Sequence, residues 1–177
     1  MNRASCCGCR PGAFTLLELM IVLVIITILG TLLLPLYGEM RARAQKTQCI
    51  TNLKNLYVGA EVYVQRNGHW PQISRTSGAS GAEDFANAWI AALAPNGLGR
   101  PSWICPTIQA LLQEPDYTQP RFARLDYIPM NFDANELTPH KWPRQPWFIE
   151  AGNVHGNGNL LIYTDGSIGE VNDLVPK

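Results

Sequence analysis

The hydrophobic pattern divides the chain sharply. From Phe14 to Tyr37 it reads FTLLELMIVLVIITILGTLLLPLY, apolar almost throughout and interrupted by one charge, Glu18. A bilayer core takes about 20 apolar residues of helix, so this run is long enough to span one. A secretory signal core is shorter, about 7–15 residues, and ends at a small-residue cleavage site, which Leu36-Tyr37-Gly38-Glu39 does not supply. The run predicts a retained membrane helix over 14–37. A carboxylate inside such a helix costs about 2.5 kcal/mol or more and calls for a partner. Glu18 either snorkels to the interface from the first turn or pairs with a positive group on another subunit.

Polarity rises after Gly38, but the helical period persists. Ile50, Leu53, Tyr57, Ala60 and Val64 recur at spacings of three and four, with Lys46, Asn52, Lys54, Asn55 and Glu61 between them. Asn67-Gly68, with Pro71 close behind, supplies a stop. One helix through 38–67 continues the apolar run and reaches about 50 residues in all, far beyond the average length. Gly30 and Pro35 are its weak points. Ser74 to Gly81 reads as a loop, Glu83 to Leu93 as a short helix ending at Pro95, and Trp103-Ile104-Cys105-Pro106 as a brief strand closed by a turn. The stretch from Gln113 to Pro146 is rich in Pro and aromatics and shows little periodicity. Asn159 to Thr164 reads as a strand, Asp165-Gly166 as a type I′ hairpin turn, and Ser167 to Val171 as the returning strand. The fold class predicted is α+β. One long N-terminal helix, its first half in the membrane, packs its outer half on a small antiparallel sheet within a head over 68–177.

Composition adds exclusions. The 177 residues carry 14 Lys+Arg and 14 Asp+Glu, so the basic excess that marks nucleic-acid binding is missing. Disorder combines low hydrophobicity with high net charge, and this chain has neither. No Gly-x-Ser-x-Gly, His-Glu-x-x-His or phosphate loop occurs. His155 and Asp165 suit a base and its orienter, but catalysis also needs a nucleophile or metal. The expected roles are structural, with Asp165 in its turn and His155 anchoring the start of the hairpin by hydrogen bonding, and no enzymatic activity is expected. Asn131, Asp133, Asn135 and Glu136 are clustered oxygen donors and make Ca2+ a weak candidate, without the Gly and distant Glu of an EF-hand. No other metal or cofactor is expected. Trp142 and Trp147, beside Pro143 and Pro146, suit stacking on a sugar or a partner, or simple packing.

Arg10-Pro11-Gly12-Ala13 followed by Phe14-Thr15-Leu16-Leu17-Glu18 resembles the type IV prepilin signature. In that family a short basic leader is removed, Phe becomes the first residue and is N-methylated, and Glu is fifth. A cut between Ala13 and Phe14 makes Glu18 fifth and Pro35 twenty-second, where pilins commonly carry Pro. The family's usual residue before the cut is Gly; here it is Ala13, and a cut after Gly12 would move Glu18 to sixth. The leader is thus 1–13. The spacing of His155 and Asp165-Gly166, at the 155–171 hairpin, resembles a His-x9-Asp-Gly domain at the C-terminus of many prepilin-like proteins.

The resemblance implies a pseudopilin of a type II secretion-like system, a single-pass inner-membrane protein with its C-terminal part in the periplasm. Its partners would be prepilin peptidase, other pseudopilin subunits and an inner-membrane assembly platform, with Glu18 neutralising the amino terminus of Phe14 on a neighbour. Arg3 and Arg10 before the run, against Arg41, Arg43 and Lys46 after it, leave the orientation to the resemblance. That orientation keeps Cys6, Cys7 and Cys9 in the leader and puts Cys49 and Cys105 in an oxidising compartment, either as a disulfide or as two buried free thiols. The alternatives are a membrane-anchored ligand-binding module using Trp142, Trp147 and His155, or a minor type IV pilin.

Overall fold

The computed structural model describes residues 14–75, 81–113, 123–156 and 158–174, with the side chains of 32–36 excepted. The leader, Ala13 and Cys6, Cys7 and Cys9 lie outside the described residues. Two compact units divide the chain, Met1–Arg41 and Ala42–Lys177. Helix α1 runs unbroken over Leu16–Asn67, so the backbone is helical through Gly30 and Pro35. In the first unit the described large apolar side chains of α1 are exposed, Leu16, Val22 and Leu29 among them, and its charged residues are Glu18, Glu39 and Arg41. Among the described residues no helix is long and apolar enough to cross a membrane.

The second unit is built around the rest of α1. The buried positions there are Cys49, Asn52, Leu53, Leu56, Gly59, Ala60 and Val64, whereas Ile50 and Tyr57 are only partly covered. The buried stripe is therefore rotated from the expected one, toward Cys49 and Leu56. Asn52, expected among the polar positions, is buried because its Nδ2 donates to the Ile104 carbonyl (2.9 Å) while its Oδ1 accepts from Gln48 (3.1 Å). Asn52→Ala should cost about 1–3 kcal/mol, read from a denaturant midpoint, since it leaves that carbonyl unpaired.

Helix α2 (Gly81–Leu93) carries Glu83 and Asp84 in its first turn and buries Ala86, Trp89, Ile90 and Leu93, one helical face. The strand expected at Trp103–Pro106 does not form. Arg100–Trp103 is a 3-10 turn, and Pro106 opens helix α3 (Pro106–Leu112), where its fixed φ and missing N–H suit the first helical position. The stretch expected to lack periodicity holds strand β1 (Tyr127–Pro129) and the single helical turn α4 (Thr138–Lys141). Strands β2 (Pro146–Glu150), β3 (Leu160–Tyr163) and β4 (Ile168–Glu170) complete an antiparallel meander in the order β1-β2-β3-β4. Tyr127 faces Glu150, Phe148 faces Ile162 and Leu160 faces Glu170. The α+β architecture matches the expectation, a long helix with a small four-stranded antiparallel sheet.

The core is aromatic. Trp70, Trp89, Trp103 and Trp147 are fully buried, with ring centroids 5.0 Å apart for Trp70–Trp147 and 5.9 Å for Trp103–Phe148. Such offset and edge-on pairs add about 0.5–1.5 kcal/mol each beyond the area they bury.

Candidate functional site

The start of α1 concentrates the first set of candidate residues. Thr15 is the residue before the helix, and its backbone N–H (2.9 Å) and hydroxyl (2.8 Å) both donate to Glu18 Oε2. The Glu18 N–H donates back to Thr15 Oγ1 (3.2 Å). This is a capping box, in which a Thr and a Glu three residues on satisfy each other's free backbone donors. The Thr-x-x-Glu spacing signals it in the sequence, and the reading of Glu18 as a lone charge passed over it. Phe14, directly ahead, is 82% exposed.

The second unit gathers a buried polar cluster. Cys49 on α1 and Cys105, the residue before α3, are joined by a disulfide with Cα atoms 5.5 Å apart. The Cys105 N–H donates to Asp126 Oδ2 (2.8 Å), and Asp126 is held in turn by Arg124 Nε (2.6 Å) and Nη2 (3.0 Å). Asp126 is nearly fully buried; burial raises its pKa, and the Arg124 guanidinium works against that rise. At the end of β2 the Glu150 side chain has no exposed surface. Its Oε2 takes the Leu160 N–H at 3.4 Å; its Oε1 lies 3.2 Å from His155 Nε2 yet has no hydrogen-bond partner in line. Burial pushes the Glu150 carboxyl up to about 7 and the His155 imidazole below its ordinary value. His155 Nε2 also lies 3.9 Å from Cys105 Sγ. His155 thus sits against the disulfide and the end of β2, and among the described residues no hydrogen bond ties it to the hairpin start, where one was expected.

Asp165 serves the hairpin, its carboxylate accepting the Ser167 N–H at 2.9 Å. The turn is not type I′, because Asp165 does not have positive φ; among the described residues Gln113 is the one non-glycine that does. The Gly166 N–H bonds the Tyr163 carbonyl (3.0 Å) and the Tyr163 N–H bonds the Ser167 carbonyl (3.0 Å). Thr164 and Asp165 make the turn and Gly166, at φ +76°, supplies the left-handed residue of a three-residue hairpin. A Cβ on Gly166 would stand 3.2 Å from the Tyr57 ring. Gly166→Val should therefore cost about 1–3 kcal/mol while Asp165→Asn stays within about 0.5 kcal/mol, in thermal melts of the second unit.

The ligand candidates part company. Trp147 is core, its indole N–H donating to the Pro139 carbonyl (2.9 Å), so it faces no ligand; Trp142 is 53% exposed beneath the Lys141 ammonium. Asp133 accepts hydrogen bonds from the Asn135 N–H and the Thr138 hydroxyl, and Asn135 Oδ1 accepts the Leu137 N–H. These oxygens hold the turn that leads into α4, and Glu136 is exposed beside them.

Comparison with known proteins adds to this geometry. The prokaryotic N-terminal methylation motif matches over residues 10–34. A fimbrial protein of Neisseria meningitidis serogroup A is 32% identical over 77 residues, 44% of this chain and 45% of that protein. A type IV major pilin of Neisseria gonorrhoeae is 35% identical over 77 residues, 44% of this chain and 36% of its own length. A type IV major pilin of Myxococcus xanthus is 33% identical over 69 residues, 39% and 31% respectively. The chain spans less than half the length of each of these relatives. No solved structure matches it. With its capped helix start, exposed Phe14 and matching residues 10–34, the chain carries a type IV prepilin-like N-terminal methylation motif and is homologous to type IV pilins over the matched stretch.

Proposed function

We propose that the chain is a pilin-like structural subunit, cut between Ala13 and Phe14, N-methylated at Phe14 and polymerised through the apolar start of α1. The observation that carries this reading is the methylation motif over residues 10–34, set on a helix with uncovered apolar side chains and one carboxylate. Lipid covers such a surface before assembly, as a single-pass inner-membrane helix over 14–37, and sibling helices cover it afterwards. In the filament Glu18 leaves its own first turn to meet the charged amino terminus of a neighbour, which gives a charge in an apolar setting its partner. The role is structural; prepilin peptidase and an assembly platform act on the chain from outside it.

The narrower assignment is a pseudopilin of a type II secretion-like system, assembled in the periplasm with other pseudopilin subunits. The second reading, a type IV pilus subunit, is favoured by relatives that are type IV major pilins. Removing the chain from its host separates the two. Loss of an exported protein with no change in surface filaments supports the pseudopilus, and loss of filaments sheared from the cell surface supports the pilus. A chain found only as isolated, unassembled membrane protein would contradict both and leave an anchored module, for which Trp142 remains exposed while Trp147 and the His155 imidazole are buried.

A further inference from the structure

Four side chains with metal-binding chemistry converge in the second unit from distant points of the sequence. The ligand atoms of Cys49, Cys105, Glu150 and His155 all lie within 4.8 Å of one another. Around a tetrahedral zinc ion, with bonds of about 2.0–2.3 Å, ligand atoms stand about 3.3–3.8 Å apart. Cys105 Sγ to His155 Nε2 at 3.9 Å and His155 Nε2 to Glu150 Oε1 at 3.2 Å already approach that spacing. The cysteine sulfurs fit it only once their bond is opened.

A second observation points the same way. Glu150 Oε1 is a fully buried carboxylate oxygen with no hydrogen-bond partner, aimed at the imidazole and the sulfurs. An unsatisfied buried group of this kind costs about 1–3 kcal/mol or more and calls for a reason. A surface recess of about 360 Å³ has Lys46, Thr107, Val154, His155 and Gly156 in its lining, so the cluster lies behind one residue of an open surface.

We infer that in its dithiol state the chain holds a zinc ion through Cys49, Cys105, Glu150 and His155, so that one cluster has two closed forms, a disulfide and a metal site. Two thiolates, one imidazole and one carboxylate are a zinc donor set, and soft sulfur disfavours magnesium and calcium. Conversion balances with a dithiol as reductant. The S–S bond breaks, each sulfur takes a proton, and the dithiol closes to its own disulfide; zinc then displaces both thiol protons. The ion would tie α1, the start of α3, the end of β2 and the following loop together, the elements the disulfide and His155 join now. It does not depend on the filament reading.

Cobalt titration in detergent is the test, on the full chain with Cys6, Cys7 and Cys9 replaced by serine so that Cys49 and Cys105 are its two cysteines, with Co2+ as the spectroscopic probe and a phosphine as reductant. The phosphine becomes its oxide with water's oxygen, leaving two thiols. The reduced chain should bind one equivalent of Co2+ with an intense sulfur-to-cobalt charge-transfer band and tetrahedral visible absorption, both abolished by Zn2+, and the oxidised chain should show neither. His155→Ala and Glu150→Gln should each weaken Zn2+ binding by about tenfold or more. Absence of the charge-transfer band in this reduced chain, which keeps all four residues of the cluster, overturns the site. So does an affinity unchanged in either variant, which would leave the metal on the cysteines alone.

Discussion

Glu18→Gln should be cleaved and should keep its helix start, yet fail to enter filaments. Gln serves in a capping box as Glu does, so the bonds with Thr15 survive the substitution. What is lost is the negative charge that the proposed pairing offers to the amino terminus of a neighbouring subunit. Leaving that buried cation unpaired costs about 3–5 kcal/mol, on the order of a hundredfold or more in an assembly equilibrium. Glu18→Ala removes cap and charge together and should fail as well, with about a further 1 kcal/mol lost from the helix start. Quantifying the subunit in isolated filaments against total cleaved protein checks both. A Glu18→Gln subunit that assembles like the parent would reduce Glu18 to a capping residue.

Breaking the disulfide should be the largest single loss of stability in the second unit. Cys49 and Cys105 are 56 residues apart, and closing such a loop is worth about 4 kcal/mol in the chain-entropy account. The Cys49→Ser/Cys105→Ser double variant, unfolded in denaturant with a chelator present, should show a midpoint lowered by that amount with its slope little changed. Both sulfurs are fully buried, so added reductant should open the bond slowly in the parent chain and far faster once it is unfolded. A double variant as stable as the parent would mean that the aromatic core alone sets the stability of this unit.

The sequence showed some of this plainly and hid the rest for physical reasons. The long helix and the C-terminal hairpin were legible because each carries one strong local signal, helical spacing in one and an apolar, aromatic strand running into Asp-Gly in the other. The rotated stripe on α1 was not, because Cys49 and Asn52 count as small or polar until Ile104 offers a carbonyl and Cys105 a sulfur. Pro106 looked like the end of a strand, but the residue that stops one element is also the residue that starts a helix. The spacing of His155 and Asp165-Gly166 suggested one unit, while the folded chain gives His155 to Glu150 and Cys105 and gives Asp165 to Ser167. Glu150 carried no signal at all. A strand residue in Pro146–Glu150 reads as surface until β1 and β3 cover it from both sides. Glu18 stood out as the one charge in the apolar run and its capping role was missed, although Thr15 three places earlier announces it.

The reading of this chain as a processed filament subunit rests on what happens at one peptide bond. Mass spectrometry of the N-terminal peptide, from protein purified out of its native host's membranes and filaments, reads that bond directly. The account predicts a chain beginning at Phe14 with one methyl group on its amino nitrogen, in membranes and filaments alike. A chain still beginning at Met1, or one cut after Gly12 so that Ala13 leads and Glu18 falls sixth, would contradict it.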